Sequence, residues 1–389
     1  MKILHVLFDD YPYISDWGYQ ENKLAYYQSS NHDVYIVTAN YVPKILEEFV
    51  DGKALQSYEE YKSKDHNMIK IYRLKCLFGN FTIAKKIKFY KGLYKKIDEI
   101  KPDIIFIHDL HALSLFSVTK YIKKNKNVIC NADIHVNDVN SCNSILAKIL
   151  HKFYYRLIIQ INIKYINNLF YLNNNSKSFL KKMYGIDEKK CKLLLLPLGG
   201  EVTTENEILE YQKKFRKIND ISKDSIIFVH SGKFTKNKKT IELLKSFLDI
   251  RDTRFYLYLI GQPCKEIEKD FFNLVAKDER IIYIGWKSNS ELMKYLKVCD
   301  IYLQPGSPSV TAHEAMCNKC AVLLSSNGEF YKSFVPNDSA YYIHDNMELK
   351  KFFKEISKNN IDIEMYKNNS YELAKNIFDY KMQSELIIK

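Results

Sequence analysis

Along the chain, short apolar, β-branched or aromatic runs alternate with amphipathic stretches: KILHVLF, then GYQENKLAYYQSS, then DVYIVTA, and later DIIFIH, NVICNADIH and LFYLN. Continuous apolar runs bounded by helical patterns predict parallel strands buried between layers of helices. At KLLLLPLGGE a buried strand meets Pro197, Gly199 and Gly200, a turn-forming cluster suited to an interdomain linker. A second series follows: SIIFVHSGKF, FYLYLIG, RIIYIGW, DIYLQPG and CAVLLSS. Beyond AYYI the pattern becomes helical in MELKKFFKEI, EMYKNNSYELAKNIF and YKMQSELII. The expected fold class is α/β, with one Rossmann-like lobe over residues 1–198 and a second over 199–365. The helices of 366–389 are expected to pack back on the first lobe.

Composition agrees with two packed lobes. A chain of 389 residues exceeds one ordinary core, and 46% hydrophobic with 27% charged residues excludes disordered and fibrous classes. The 59 Lys and Arg against 46 Asp and Glu give a formal charge of +13, which favours an anionic partner: nucleic acid, anionic lipid or nucleotide phosphate. No nucleic-acid-binding module is recognisable, so nucleic acid is not expected. MKILHVLFDDYPY lacks the length and cleavage region of a signal peptide and reads as a first strand, and the apolar runs are too short or interrupted to span a bilayer. A cytoplasmic protein is expected. Eight scattered cysteines read as reduced and structural. The lone CxxC of Cys317 and Cys320 cannot complete a four-ligand zinc site, so no metal is expected there.

In open α/β sheets, ligands gather where strand carboxyl ends meet helix starts. HSGKFTKNKKT follows the strand SIIFV; Gly232 permits a tight turn and Lys233, Lys236, Lys238 and Lys239 crowd the loop. It is either a diphosphate site or a solvated basic loop. QPGSPSVTAHEAM is the second candidate: Pro305-Gly306 ends a strand, and Ser307, Ser309, Val310 and Thr311 lead into a helix carrying Glu314. One hydroxyl is explained by helix capping, whereas three also fit a phosphate. A carboxylate about one turn in could accept two hydrogen bonds from a ribose diol. In the first lobe Gly18 stands alone between strand and helix, so the dinucleotide fingerprint is absent. HDLH and ADIHVND fall on the functional rim, which makes His135 a candidate.

These stretches together resemble the retaining GT-B glycosyltransferases, a family 4-like group ("glycosyl transferases group 1") that includes bacterial polysaccharide, capsule and lipopolysaccharide enzymes. The resemblance covers nearly the whole chain. WGYQENKLAYYQSSNHDVYIVT is similar to the family's first glycine loop, helix and strand, with Gly18 as the glycine. Gly232-Lys233 and Lys238 look like the donor-diphosphate pair, with Lys233 where Arg is common. YIGW looks like the element before the nucleobase pocket, at Trp286. GSPSVTAHEAM is similar to the hallmark of two glutamates separated by seven residues: Glu314 matches the second, the ribose binder, and Gly306 stands where the first, an acid helping to hold the sugar, is usual.

The resemblance implies two Rossmann-like domains facing across a cleft and a C-terminal helix crossing back. It implies a nucleoside-diphosphate sugar donor, a glycan or lipid-linked acceptor, transfer with retention, and no cofactor or metal. Donor binding falls to Gly18, Gly232, Lys233, Lys238, Trp286, Gly306, Ser307, Ser309, Val310, Thr311 and Glu314. Gly18 would let the acceptor lobe close over the donor. Catalytic contacts fall to His135 and Lys238. The basic, aromatic-rich segments AKKIKFYKGLYKK and AKILHKFYYRLIIQINIKY suit an anionic membrane surface, or are ordinary amphipathic helices. A noncatalytic nucleotide- or glycan-binding partner of another transferase is the alternative, given Gly306; a nucleotide-sugar epimerase ranks third.

Overall fold

The structure, a computed structural model, describes residues 1–8, 11–15, 18–40, 55–62, 66–77, 85–142, 144–327 and 330–389, the side chains of 139 and 140 excepted. The chain forms two units: residues 1–197 with 380–389, and residues 198–379.

The first unit is built on an eight-stranded sheet of β1 (Lys2–Leu7), β2 (Asp33–Ala39), β3 (Tyr58–Tyr61), β4 (Ile69–Leu74), β5 (Ile104–His108), β6 (Ile129–Ile134), β7 (Asn168–Tyr171) and β8 (Lys192–Leu195). Its spatial order is 3-4-2-1-5-6-7-8. All pairings are parallel except β3 with β4. The central strands are buried on both faces, as their unbroken apolar runs require: β5 is buried at every position. Order reverses at β1, which lies between β2 and β5, so the switch point opens at the carboxyl ends of β1 and β5.

Helix Tyr380–Leu386 completes this unit. Ile387 is fully buried with Leu24, Phe106, Phe170 and Leu196, and its carbonyl accepts from Asn131 Nδ2 at 2.8 Å. The Ser384 carbonyl accepts from Gln28 Nε2 at 2.8 Å. The return is shorter than the sequence suggested. Helix Ile363–Ile377 stays with the second unit, where Ser370 Oγ donates to the Cys320 carbonyl at 2.7 Å, so the chain changes unit at Tyr380 and not at residue 366.

The second unit holds a six-stranded, all-parallel sheet: β9 (Ile226–Phe234), β10 (Phe255–Pro263), β11 (Ile281–Gly285), β12 (Ile301–Gln304), β13 (Ala321–Ser325) and β14 (Tyr341–Ile343), in the order 11-10-9-12-13-14. An aromatic core of Phe228, Phe247, Phe255 and Phe353 packs edge to face beneath it. The switch point here lies between β9 and β12. Gly200 seats the start of this unit: its amide donates to the Phe378 carbonyl at 2.8 Å, and a Cβ there would lie 2.9 Å from Cys317 Sγ. Cys317 and Cys320 are free and fully buried, so the CxxC packs behind the helix Thr311–Cys317.

Candidate functional site

At the β9/β12 switch point the two candidate loops are one structure. Gly306 lies so close to the turn Lys236–Lys238 that a Cβ on it would sit 2.2 Å from the Asn237 carbonyl oxygen, 2.5 Å from Lys238 C and 2.7 Å from Lys238 Cα. The Ser307 amide donates to that Asn237 carbonyl at 2.8 Å, and Lys238 Nζ reaches the Ser307 carbonyl at 3.5 Å. Gln304 Nε2 donates to the same Ser307 carbonyl. Below, His230 ties three elements together: Nδ1 donates to the Leu303 carbonyl at 2.7 Å and Nε2 accepts from Thr240 Oγ1 at 2.9 Å. Burial pushes its pKa down to about 4, so it is neutral and can play both roles.

Lys238 is half-buried, and burial pushes its ammonium pKa down to about 8. Lys233 differs from the expected loop residue. β9 runs on through Phe234, paired with β10 in register Gly232↔Gly261 and Lys233↔Gln262, so Gly232 and Lys233 are strand residues. Gly232 has φ +117, a conformation that favours glycine. Lys233 is exposed and, with Trp286, lines an open depression of about 610 Å³. Trp286 is 66% exposed. Lys236 is engaged by Glu266 at 2.6 Å.

The hydroxyl cluster is partly used by the fold. Tyr331 Oη accepts from the Ser309 amide at 2.8 Å and donates to the Ser309 carbonyl at 3.0 Å, and Ser309 Oγ donates to Thr311 Oγ1 at 3.3 Å. With the Ser307 amide also bonded, the amides of Val310 and Thr311 are the ones in this stretch without a hydrogen bond among the described residues. The expectation of amides spread across Ser307 to Thr311 therefore narrows to these two. Glu314 is half-buried on the helix that Gly200 backs. Its neighbour His313 faces inward: Nδ1 donates to the Leu198 carbonyl at 2.7 Å and the ring stacks on Phe378 at 4.4 Å.

In the first unit, a cavity of about 440 Å³ opens at the β1/β5 switch point and is lined by Tyr13, Glu21, Asp109, His111 and His135, among others. Gly18 is not part of its lining; a Cβ there would meet nothing within 4 Å, and its φ is not positive. His135 is held by a polar chain that pattern reading missed. Gln28 Nε2 donates to Ser384, so Gln28 Oε1 accepts from His5 Nε2 at 2.6 Å. Burial pushes the pKa of His5 down to about 3, and its Nδ1 is paired with His108 Nε2 at 3.0 Å. His108 Nδ1 then donates to Asp133 Oδ2 at 3.0 Å.

Asp133 also receives the Asp109 amide at 3.2 Å and lies 3.3 Å from His135 Nε2. Asp109 Oδ1 in turn accepts from the His135 amide at 3.1 Å. Burial would lower the His135 pKa, but the Asp133 carboxylate outweighs it and raises it well above the ordinary value. Burial would raise that of Asp133, but His135 and His108 hold it below the usual carboxylate range. His111 behaves oppositely: burial and the buried Lys88 ammonium, 2.8 Å from Nε2, push it down to about 3. The same rim thus carries one cationic and one neutral histidine. The sequence signal for the missed residues was polar positions inside apolar strands, His5 in KILHVLF and Asp133 in NVICNADIH. In Asp133→Asn the ring resonances of His135 should titrate at or below an ordinary histidine value, whereas in the wild type they stay protonated well above it. The pair's contribution to stability is present above the carboxylate range and is lost as pH rises through the raised His135 value. Unchanged titration in the variant would break the assignment.

Among the described residues no group of three His, Cys, Asp or Glu side chains could hold a metal ion, and no helix is long and apolar enough to cross a membrane.

Comparison with known proteins follows the same division. No curated protein sequence matches the chain. In fold it is similar over its whole length to HepE of Anabaena solved with UDP (12% identity, covering 99% of this chain and 98% of that one, TM-score 0.63). It is also similar to a glycosyltransferase of Rickettsia africae (16%, 99% and 96%, TM-score 0.61) and to sucrose-phosphate synthase of Thermosynechococcus elongatus (14%, 99% and 96%, TM-score 0.61). The fold is therefore α/β with two parallel-sheet domains, as in GT-B glycosyltransferases. In sequence, residues 211–373, all within the second unit and including the Lys238, Gly306 and Glu314 positions, match the family described as "Glycosyl transferases group 1".

Proposed function

We propose that this protein is a retaining glycosyltransferase that moves a sugar from a nucleoside-diphosphate sugar to a glycan or lipid-linked acceptor, in bacterial surface polysaccharide assembly on the cytoplasmic side. The observation that carries the reading is the junction of Gly306 and Ser307 with the Lys236–Lys238 turn, which presents a half-buried lysine at the β9/β12 switch point of the unit matching the transferase family. The UDP and UDP-glucose complexes of HepE support a nucleotide-sugar donor.

In this reading Lys238 and Lys233 neutralise the diphosphate, the Val310 and Thr311 amides cap it, Glu314 accepts from the ribose diol, and the depression beside Trp286 takes the base. The bond from the anomeric carbon to the phosphate oxygen breaks and a bond to the acceptor oxygen forms on the same face. The acceptor proton passes to the departing phosphate, whose charge the lysines stabilise. His135, held by Asp133, meets the sugar or acceptor as a donor. The lysines supply the positive charge, so the scheme needs no cofactor and no metal.

One observation favours a second reading, a noncatalytic nucleotide- or glycan-binding partner: the position of the family's first acid is a glycine with no room for a side chain. Thermal-shift titration with UDP, GDP, ADP, CMP and their sugars, followed by assays of donor hydrolysis and transfer, separates the two. A stabilising nucleotide whose affinity falls at least tenfold in Glu314→Ala, with turnover of its sugar, is the expected result. Binding without turnover supports the partner; full affinity and transfer in Glu314→Ala overturns the site.

A further inference from the structure

The segment 144–165, SILAKILHKFYYRLIIQINIKY, contains no Asp or Glu. In the first unit it forms a continuous helical rod: Ile145–Ile149, a π-helical stretch Leu150–Tyr155, and Arg156–Asn162. Its inner side is accounted for, since His151, Tyr155, Ile158, Ile159 and Asn162 are buried. The outer side, which an ordinary surface helix would make polar, instead presents Ile145, Leu146, Ile149, Phe153, Leu157 and Ile161, each between 47% and 79% exposed.

Five of these recur at steps of four: 145, 149, 153, 157 and 161. In a pure α-helix each such step drifts about 40° around the axis, enough over four steps to wind the stripe to the far side. A π turn closes i to i+5 and slows that drift, so the π-helical stretch at the middle keeps the apolar line straighter. A second line runs beside it at the same step, Lys148, Lys152, Arg156 and, beyond Gln160, Lys164. Lys148, Lys152 and Lys164 are exposed. The other basic segment does not share this design: Lys88 and Tyr90 of AKKIKFYKGLYKK are buried, with Lys88 donating to the Phe8 carbonyl.

We propose that this rod is a docking face that lies in the plane of an anionic lipid bilayer, its apolar line among the acyl chains and its basic line at the headgroups. Charge selects the occupant: a second copy of the face would set cations against cations, whereas anionic headgroups complement the exposed Lys148, Lys152 and Lys164. An apolar line of about 24 Å lying flat suits a rod that does not span. The inference does not require the transferase reading, because it concerns a surface separate from the lysine site.

Co-sedimentation of the full chain with vesicles of phosphatidylglycerol and phosphatidylcholine, against phosphatidylcholine alone, tests it. Strong binding to the anionic vesicles is expected, at least tenfold weaker in the exposed double variant F153S/L157S, and K148E/K152E should lose the preference for anionic lipid. A Phe153→Trp variant should shift its emission to the blue on adding anionic vesicles. Absence of binding by the wild type, or equal binding by F153S/L157S, overturns the proposal; so does a dimer in solution that F153S/L157S dissolves. Thermal shift with nucleotide in the same variants should be unchanged, so that failure here leaves the donor-site reading to stand or fall separately.

Discussion

Gly306→Glu, which restores the acid usual in the family, is expected to destabilise the second unit and to create no activity. The atoms in the way are backbone: the Asn237 carbonyl oxygen 2.2 Å from any Cβ, and Lys238 C and Cα at 2.5 and 2.7 Å. None of these can rotate aside as a side-chain tip could. To admit even alanine, the Lys236–Lys238 turn must lift from Ser307, which breaks the Ser307 to Asn237 hydrogen bond and moves Lys238. Overpacking of this kind costs roughly 3 kcal/mol, or roughly 6–12 °C for a unit of this size. Calorimetry of Gly306→Ala and Gly306→Glu measures it. If Gly306→Glu proved as stable as the wild type and faster in turnover, the loop would open freely and the acid would simply be missing.

Lys238→Met should do the opposite to stability while removing donor binding. Burial that pushes an ammonium down to about 8 means that folding works against its charge at neutral pH. That penalty is fully present below about 8 and fades as pH rises towards the free lysine value near 10.4. Methionine keeps the packing length without the charge, so the melting temperature of the unliganded protein near pH 7 should rise by a few degrees, of order 2 kcal/mol after allowance for the partly exposed head. The wild type should gain on the variant as pH rises above about 8. Nucleoside diphosphate affinity should fall about a hundredfold, the scale of losing one charge from a desolvated pair. In the wild type an arriving diphosphate restores the ammonium, so binding should take up a proton and weaken as pH rises through about 8, seen by calorimetry in buffers of different ionisation enthalpy. Pairing unchanged affinity with a raised melting temperature would make Lys238 a packing residue.

Much of the fold is legible in the sequence because buried parallel strands write themselves as unbroken apolar runs. IIFV, FYLYLIG and AVLLS all lie in strands of the second sheet. What could not be read is where a strand stops. β9 carries Gly232 and Lys233 past the point at which glycine and lysine suggest a loop, because Gly261 opposite lets the two backbones approach: a Cβ on Gly261 would lie 1.8 Å from the Gly232 carbonyl oxygen. The use of Ser309 was hidden for a related reason, since its partner Tyr331 is supplied by a turn twenty-two residues on. His5 and Asp133 stand out locally only as polar residues within strands; the chain that joins Gln28 to His135 through them exists only once β1, β5 and β6 lie side by side. On the helical rod, periodicity located an inner and an outer side but could not say that the outer one would keep its apolar residues uncovered.

The membership of residues 380–389 in the first unit has a consequence for biosynthesis. Ile387 is buried in one cluster with Phe106 and Phe170, and the Ser384 and Ile387 carbonyls take hydrogen bonds from Gln28 and Asn131. A ribosome, reading from the amino end, therefore delivers every strand of the first sheet long before the segment that closes its core. During the interval in which residues 198–379 of the second unit are made, the nascent first unit must wait with an apolar slot open. The second unit, residues 198–379, is complete in sequence before the closing segment 380–389 of the first is made.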